Sequence, residues 1–240
     1  MTKVTPYNSK EGKKKQVTKM FDNIAGSYDF LNHTLSLGMD NIWRKIAIKE
    51  LSNKPATILD IATGTADFAI SASKYTNATI TGIDISQGML DVGVEKITKK
   101  RLTNRIQLQL ADSEKLPFQD NSYDAITAGF GVRNFEDLNK GLSEMYRTLK
   151  SGGKVAILEP SEPTHFPLKQ LYKLYFHHIL PLIGGIISKD KNAYTYLPDS
   201  VSVFPSGENF LAELNKVGFK KCKHTPLTFG IVSLYIAIKQ

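Results

Sequence analysis

The sequence predicts a doubly wound α/β fold with a seven-stranded sheet that is mostly parallel and ends in an antiparallel C-terminal strand. Two observations predict it. From Thr57 to Glu159, five short apolar runs alternate with helix-like stretches, the pattern of repeated β-α units in a parallel sheet. The end of the chain, FKKCKHTPLTFGIVSLYIAIKQ, instead contains two β-like runs that turn at Pro226, which predicts an antiparallel pair at the sheet edge.

The elements can be placed in chain order. Apolar residues at roughly helical spacing predict two helices joined by a bend, one around 17–24 and one around 42–51. LKSGGK, residues 149–154, predicts a helix stop and a glycine turn into the fifth strand. EPSEPTHFP, residues 159–167, breaks regularity with three prolines and leads into an aromatic segment, which predicts a helical insertion near 163–200. The five parallel strands are expected at 57–61, 79–85, 106–111, 123–128 and 154–159.

Length and composition predict one domain in a reducing compartment. With 240 residues, 41% of them hydrophobic, the chain can bury one large core, so we expect a single domain over 1–240. Cys222 is the only cysteine, which excludes an intramolecular disulfide and favours the cytoplasm. No signal pattern opens the chain, and the longest uncharged run, residues 174–188, is shorter than the roughly 20 apolar residues of a spanning helix.

The net charge of +8 is concentrated at the start of the chain. The first twenty residues hold six lysines and one acid, Glu11, which predicts a flexible basic arm over 1–18. Such a run is most often only solvated, but it also suits anionic lipid head groups or nucleic acid. The basic residues do not form a stripe interleaved with aromatic residues, so we expect no nucleic-acid partner.

The segment ILDIATGTADFAI, residues 58–70, carries the first ligand signal. Asp60 ends the first strand, and Thr63 and Gly64 lie in the turn that precedes Asp67. Ligands of open parallel sheets bind at such strand ends. A pyrophosphate site needs three glycines, whereas this turn has one and is flanked by acids, which suit a cation. S-adenosylmethionine is such a ligand, because it carries a positive amino group and a sulfonium but no phosphate.

Two further strand ends also carry acids. Asp84 follows the second apolar run, and its two carboxylate oxygens can accept both hydroxyls of a ribose. Asp112 follows the third run and is expected to accept from the adenine amino group, with Ser113 as a neighbouring polar contact. Each acid alone could be a helix cap or a solvated strand end. Three acids at three successive strand ends favour a site for S-adenosylmethionine.

These motifs resemble those of the class I S-adenosylmethionine-dependent methyltransferases with a Rossmann-like fold. Within them, the chain is similar to the quinone-biosynthesis C-methyltransferases, which act on demethylmenaquinol and related polyprenyl benzoquinols. The resemblance covers residues 19 to about 238. Ala66 stands at a glycine of the family's turn, and Asp40 stands where many members carry a histidine. The family's early signature is matched by Phe21, Asp22, Ile24, Ala25, Tyr28, Asp29, Asn32, Ser36 and Trp43, and its second signature by RTLKSGGKVAILEPSEP.

The resemblance implies further cofactor contacts and a mechanism. Tyr28 is expected to lie over the cofactor, and Gly129, at a serine position of some members, to contact it through its backbone. Methyl transfer from a sulfonium is an in-line displacement that needs no metal. The acceptor should be a reduced quinol, because an oxidised quinone is too electron-poor to attack. Arg133 is expected to stabilise the phenolate.

The insertion supplies the remaining catalytic candidates. His177, with its neighbour His178, is a candidate base, and Tyr196 a candidate donor to the second hydroxyl. Packing or ion-pair roles stay open for these residues and for Arg133. We also expect the insertion to cover a polyprenyl tail and, together with the basic arm, to contact the inner face of the membrane.

The expected function is therefore S-adenosylmethionine-dependent C-methylation of a polyprenyl quinol, most simply demethylmenaquinol to menaquinol. Three alternatives stay open: a methyltransferase for a soluble phenol, an RNA methyltransferase, and a cofactor-binding protein without catalysis. A homodimer is also left open by the sequence.

Overall fold

Two helices precede the sheet. The computed structural model describes residues 4–51, 54–174 and 191–240. Helix α1 spans Lys13–Leu35 and α2 spans Met39–Glu50. Leu37 and Gly38 between them have left-handed φ angles of 51° and 74°, which reverses the chain. The expected pair of helices joined by a bend is confirmed.

The sheet has seven strands in the order β3-β2-β1-β4-β5-β7-β6. The five strands from β1 to β5 pair in parallel, whereas β7 pairs antiparallel with both β5 and β6. The strand order reverses between β1 and β4, so a crevice forms at their carboxyl ends. The predicted fold class is confirmed. The bounds are β1 Thr57–Ile61, β2 Thr79–Asp84, β3 Ile106–Leu110, β4 Tyr123–Gly129, β5 Leu149–Pro160, β6 Lys220–Leu227 and β7 Val232–Ile238.

Helices cover both faces of the sheet. One buried cluster packs α2, α3 and α4 against one face, and a second packs α5 and α8 against the other. Two of these helices have side-chain caps: Ser86 accepts from the backbone of Met89 before α4, and Asp137 accepts from that of Lys140 before α5. The remaining helices are α3 Asp67–Tyr75, α4 Gln87–Lys99, α5 Leu138–Thr148, α6 Leu168–Leu174, α7 Lys191–Val203 and α8 Glu208–Lys216.

Two local predictions are wrong. The C-terminal strands do not turn at Pro226, which lies inside β6; the turn is the short 3-10 helix Thr228–Gly230. Because β6 is an edge strand, a proline that cannot donate a ladder hydrogen bond is tolerated there. The fifth strand begins at Leu149 rather than after the glycine turn, and Gly152 lies within it at φ 78°.

The last six residues of the basic arm expected over 1–18 belong to helix α1. Helix α1 begins at Lys13, whose ammonium group donates to the carbonyl oxygens of Arg133 and Phe135 at 3.0 Å each. Ahead of the helix, the Tyr7 backbone donates to the Gln16 side chain at 3.0 Å. Helix α1 packs through a third buried cluster that includes Met20 of α1 and Tyr196 of α7. None of the helices in the described part of the chain combines the length and hydropathy needed to cross a bilayer.

Candidate active site

Two cavities adjoin at the carboxyl ends of the parallel strands. The first, called the strand-end cavity, is bordered by the loops that follow β1, β2, β3 and β4. The second, called the apolar cavity, has a volume of about 430 Å³ and lies between α1, α2, α6, α7 and the turn after β6. Phe21, Tyr28 and Phe130 line both cavities. A ligand in one cavity can therefore meet a ligand in the other across these aromatic side chains.

The turn after β1 is built by alternating left-handed residues. Ala62, Gly64 and Ala66 have φ angles of 52°, 54° and 68°. Gly64 adopts this conformation at no steric cost, whereas each alanine pays about 1 kcal/mol. Ala66 is fully buried and does not line the strand-end cavity. Its left-handed backbone gives a physical reason for the glycine that the resembling family carries there.

Asp60 and Thr63 lie behind this turn rather than in the cavity. The Asp60 carboxylate is fully buried and accepts from the hydroxyls of Thr63 and Thr127 at 2.5 and 2.6 Å. Burial raises the pKa of Asp60 to about 6, against the hydrogen bonds from Thr127 and Thr63 that lower it. Neither Asp60 nor Thr63 lines the strand-end cavity. Their contacts hold the turn in place.

Asp84 lies at the floor of the strand-end cavity and ties two loops together. Its Oδ2 accepts from the Gly64 backbone and its Oδ1 from the Ser86 backbone, both at 2.9 Å. Burial raises the pKa of the Asp84 carboxyl despite these hydrogen bonds. The backbone N–H groups of Gly64, Ser86 and Ile85 take three of the roughly four acceptor positions of a carboxylate, so Asp84 can still accept from a hydroxyl group of a ligand.

Asp112 and Ser113 line the same cavity, with a partner that the sequence did not indicate. Lys14 of α1 lies 2.7 Å from Asp112 Oδ2 and 3.0 Å from Glu114 Oε2. Although burial favours the neutral amine, these two carboxylates raise the pKa of Lys14. Lys14 itself lines the cavity. The pair is separated by almost a hundred positions in the chain, so no local pattern could reveal it.

A strained turn after β4 places an aromatic ring between the cavities. Phe130 has a φ of 63°, which is rare for a bulky residue and is typical of functional sites. A Cβ on Gly129 would lie 2.9 Å from the Phe68 ring, and one on Gly131 would overlap the Ala62 methyl group. Glycine is therefore needed on both sides of Phe130, because the chain passes so close to these neighbours.

Arg133 lines the apolar cavity and is held there by the buried carboxylate of Glu159. Its Nη1 lies 3.1 Å from Glu159 Oε2 and also donates to the Phe130 carbonyl, while Nε donates to Ser200 at 3.3 Å. Burial raises the pKa of Glu159, although Arg133 opposes that shift. Among the described residues, Nη2 of Arg133 has no hydrogen-bond partner, so the guanidinium can donate to a ligand oxygen.

Tyr196 lines the apolar cavity from α7 and donates to Asn134 Oδ1 at 3.1 Å. Burial raises the pKa of Tyr196 to about 12, so its hydroxyl stays protonated at neutral pH. The amide nitrogen of Asn134 is buried and has no partner within the described residues. Asn134 lines the strand-end cavity. This free donor makes Asn134 a candidate ligand contact that sequence reasoning missed.

Polar contacts fix α1 as a wall of both cavities. Lys96 of α4 lies 2.6 Å from Asp29 Oδ2 and 2.5 Å from Asp67 Oδ1, and it donates to the Thr65 hydroxyl at 3.0 Å. Asp29 belongs to α1, next to Tyr28. The Lys96 network therefore joins α1 to α4 and to the turn after β1, and it holds Tyr28 at the junction of the two cavities.

A second buried arginine and carboxylate lie in the apolar cavity. Asp40 and Arg44 of α2 form an ion pair, and both line the cavity. His33 Nδ1 lies 2.8 Å from Asp40 Oδ2, and Arg44 Nη2 lies 3.7 Å from Asp67 Oδ2. The ligand atoms of His33, Asp40 and Asp67 lie within 4.8 Å of one another, a spacing that a metal ion could bridge. Arg44 contacts both carboxylates, so it already balances their charge.

At the strand ends, a cavity lined by several acids joins an apolar cavity, and proteins similar to this chain help to interpret this arrangement. The model of the ubiE/COQ5 methyltransferase family matches residues 8–239. The chain belongs to this family. The methyltransferase is 49% identical over 239 residues to demethylmenaquinone methyltransferase of Bacteroides fragilis, covering 99% of this chain and 98% of the relative.

A second relative agrees with this assignment, and a solved structure has a similar fold. The ubiquinone/menaquinone biosynthesis C-methyltransferase UbiE of Geotalea daltonii is 47% identical over 230 residues, covering 95% of this chain and 97% of the relative. The structure of an S-adenosylmethionine-dependent methyltransferase from Aquifex aeolicus matches with a TM-score of 0.61 and 18% identity, covering 82% of this chain and 89% of that one. At that identity the match bears on the fold alone.

Most of the site residues that were predicted from the sequence of the methyltransferase line the two adjoining cavities. The strand-end cavity is lined by Tyr28, Gly64, Asp84, Asp112, Ser113 and Gly129, and the apolar cavity by Tyr28, Arg133 and Tyr196. Asp60 and Thr63 support the turn from behind. His177 and His178 lie outside the described residues. Lys14, Asn134, Asp40 and Arg44 are among the polar lining residues for which the sequence predicted no role.

Proposed function

We propose that this methyltransferase transfers the methyl group of S-adenosylmethionine to a ring carbon of a polyprenyl quinol, converting demethylmenaquinol to menaquinol. The observation that carries the proposal is the junction of the two cavities. A strand-end cavity lined by four acids, Asp84, Asp112, Glu114 and Glu136, suits a cationic cofactor, and a larger apolar cavity beside it suits a ring with an isoprenoid tail. The relatives named demethylmenaquinone methyltransferase support the same acceptor.

The methyl donor is S-adenosylmethionine, held in the strand-end cavity. Its sulfonium supplies an activated methyl group. Asp84 would accept from a ribose hydroxyl at its open acceptor position, and Asp112 with Ser113 would contact the adenine. Lys14 must share Asp112 with that adenine or move away from it. The amide of Asn134 donates to an acceptor atom of the bound cofactor.

On the acceptor side, the residues favour a phenolate. A quinol that has lost the proton of one hydroxyl carries electron density on the neighbouring ring carbon, to which S-adenosylmethionine would supply its methyl group, leaving as S-adenosylhomocysteine. The proton of that ring carbon would return to the phenolate oxygen through solvent, so the net products would be the methylated quinol, S-adenosylhomocysteine and one proton. Arg133, fixed by Glu159, donates from Nη2 to the phenolate oxygen. Phe130 and Tyr28 confine the ring opposite the cofactor, which supplies the orientation that displacement needs.

Transfer of labelled methyl from S-adenosylmethionine to demethylmenaquinone in liposomes tests this proposal. We expect label on the ring only after chemical reduction of the quinone, with the oxidised quinone as control. Label on a tail-free phenol at the same rate would support a soluble acceptor, and label on RNA would support a nucleic-acid substrate. Either result, or cofactor binding without transfer to any quinol, would contradict the proposal.

The affinity for S-adenosylmethionine is expected to rise with pH between pH 5 and 7. Burial raises the pKa of Asp60 to about 6 and raises that of Asp84. A cationic ligand favours the ionised form of both carboxyls, so binding releases protons and strengthens as pH rises through about 6. If binding lowers the pKa of one carboxyl by one unit, the affinity for the cofactor rises about tenfold as the pH rises through that range. Calorimetry on wild type and Asp60→Asn checks this: the variant should show a flatter profile, and equal wild-type affinities at both pH values would contradict it.

The methyltransferase also docks on the membrane that holds its acceptor. Large apolar side chains are exposed around the apolar cavity, among them Leu37 at 89% and Leu171 at 57%. Phe229, exposed at 78%, follows the lining residue Thr228. Together with the net charge of +8, these side chains suit an anionic bilayer surface.

We therefore expect Leu37→Glu to weaken binding to anionic vesicles several-fold, because the variant places a charge where an apolar side chain would enter the bilayer. Co-sedimentation measures the effect. Val94→Glu is the matched control, since Val94 is 48% exposed on α4 and lines neither cavity. Equal loss in both variants would point to net charge alone, and no loss in either would contradict docking through this surface.

A further inference from the structure

Among the described residues that line the apolar cavity, Asp40 and Arg44 are the buried charged side chains that the proposed mechanism does not use. Asp40 and Arg44 are 3% and 5% exposed, yet both line the apolar cavity. Desolvating two charges in an apolar pocket is costly unless their pairing or a ligand compensates for it. The second hydroxyl of the proposed quinol also needs a polar partner, which Arg133 cannot supply if it holds the phenolate oxygen.

The Asp40 carboxylate has capacity for one more donor. Its Oδ1 accepts from the Ser36 hydroxyl at 2.9 Å. Its Oδ2 accepts from Arg44 Nη1 and lies 2.8 Å from His33 Nδ1. His33 Nδ1 makes no hydrogen bond in spite of this distance. A carboxylate offers about four acceptor positions, so the hydrogen bonds from Ser36 and Arg44 leave acceptor capacity on Asp40, which lines the apolar cavity.

The surroundings of Asp40 keep it ionised. Burial favours the neutral acid, but Arg44, Ser36 and His33 outweigh it and lower the pKa of the Asp40 carboxyl. An ionised carboxylate only accepts hydrogen bonds. Arg44 donates to Asp40 from its Nη1, and its Nη2 lies 3.7 Å from the Asp67 carboxylate.

We propose that Asp40 discriminates the redox state of the acceptor, because it accepts a hydrogen bond from the quinol hydroxyl that Arg133 does not hold. The inference rests on the proposed function. An oxidised quinone presents a carbonyl oxygen at the same place, which cannot donate and is repelled by the carboxylate. The quinone cannot attack a sulfonium, so a site that rejects it avoids occupation by an unreactive ligand. Asp40 is thus a specificity-determining residue for the reduced ring.

Direct binding tests this role. Trp43 is the only tryptophan of the chain and lines the apolar cavity, so quenching of its fluorescence reports occupancy. The probes are demethylmenaquinone with a short prenyl tail, oxidised and chemically reduced, under anaerobic conditions with S-adenosylhomocysteine present to prevent turnover. We expect wild type to bind the quinol about tenfold more tightly than the quinone. In Asp40→Asn the ratio of the Kd for the quinone to the Kd for the quinol should fall to near one. The main change should be tighter binding of the quinone, because an amide can also donate a hydrogen bond.

Two controls separate this role from a structural one. Asp40→Glu keeps an acceptor-only carboxylate and should preserve preference for the quinol. Asp124→Asn removes a carboxylate paired with Lys150 at 2.8 Å, away from both cavities, and should leave the ratio unchanged. Calorimetry with S-adenosylmethionine verifies that each variant is folded.

The outcomes are distinct. A wild-type protein that binds quinone as tightly as quinol overturns the inference without any variant, and so does an unchanged ratio in Asp40→Asn. If wild type transfers no methyl group to any quinol, the proposed function fails instead. If wild type transfers the label but Asp40→Asn keeps the wild-type ratio, only the inference fails.

Discussion

Replacing Arg133 with methionine is expected to lower the turnover of methyl transfer by about 10² to 10³-fold, the usual cost of removing one donor to an oxyanion. Methionine keeps much of the side-chain length but cannot donate from the position of Nη2. Cofactor affinity should change little, because Arg133 lines the apolar cavity and not the strand-end cavity. Single-turnover transfer of labelled methyl, with calorimetry for the cofactor, separates these two effects.

A structural effect of the same substitution must be separated from the catalytic one. Glu159 is fully buried beside Arg133, and leaving a buried carboxylate without its partner costs about 3 to 5 kcal/mol of stability. We therefore expect Arg133→Met with Glu159→Gln to be more resistant to urea than Arg133→Met alone. Turnover should stay low in the double variant. Recovered turnover together with recovered stability would show that Arg133 acts only as a structural ion pair.

Replacing Asp84 with alanine is expected to weaken the binding of S-adenosylmethionine by at least about 100-fold. Each of two hydrogen bonds to a charged group contributes about 1.5 to 3 kcal/mol. The variant removes the acceptor of the Gly64 and Ser86 backbone donors, so the turn after β1 and the start of α4 lose their connection. It also removes the acceptor proposed for the ribose hydroxyls.

Asp112→Ala is the matched control for Asp84. The Asp112 side chain is 37% exposed and its Oδ2 already accepts from Lys14, so its loss should weaken cofactor binding by less than the loss of Asp84. Titration calorimetry gives both affinities, and thermal unfolding shows whether each variant is folded. Normal cofactor affinity for a folded Asp84→Ala variant would overturn the assignment of the strand-end cavity.

The parts of the fold that the sequence predicted correctly depend on local patterns. Alternating apolar runs and helical stretches are local, and parallel strands end at one sheet edge, so Asp84 and Asp112 could be placed together without coordinates. The turn of the last two strands was misplaced because Pro226 is tolerated in an edge strand, whereas the reversal occurs at residues 228–230.

The parts that the sequence could not predict depend on packing between distant elements. Lys14 reaches Asp112 only because α1 crosses the strand ends. Asp60 had the expected position at a strand end, but Thr63 and Thr127 enclose its carboxylate, so it supports the turn. The sequence singled out Asp40 only because it stands where many members of the family carry a histidine. Its pairing with Arg44 and its place in the apolar cavity follow from how α2 packs.

We propose that cofactor and acceptor occupy the two adjoining cavities and meet beside Phe130. A crystal structure with S-adenosylhomocysteine and a reduced short-tailed demethylmenaquinone tests this arrangement most directly. We expect the ribose at Asp84, the ring between Tyr28 and Phe130, and one ring oxygen within hydrogen-bond distance of Arg133. A cofactor outside the strand-end cavity, or a quinol ring bound away from Arg133 and Phe130, would contradict it.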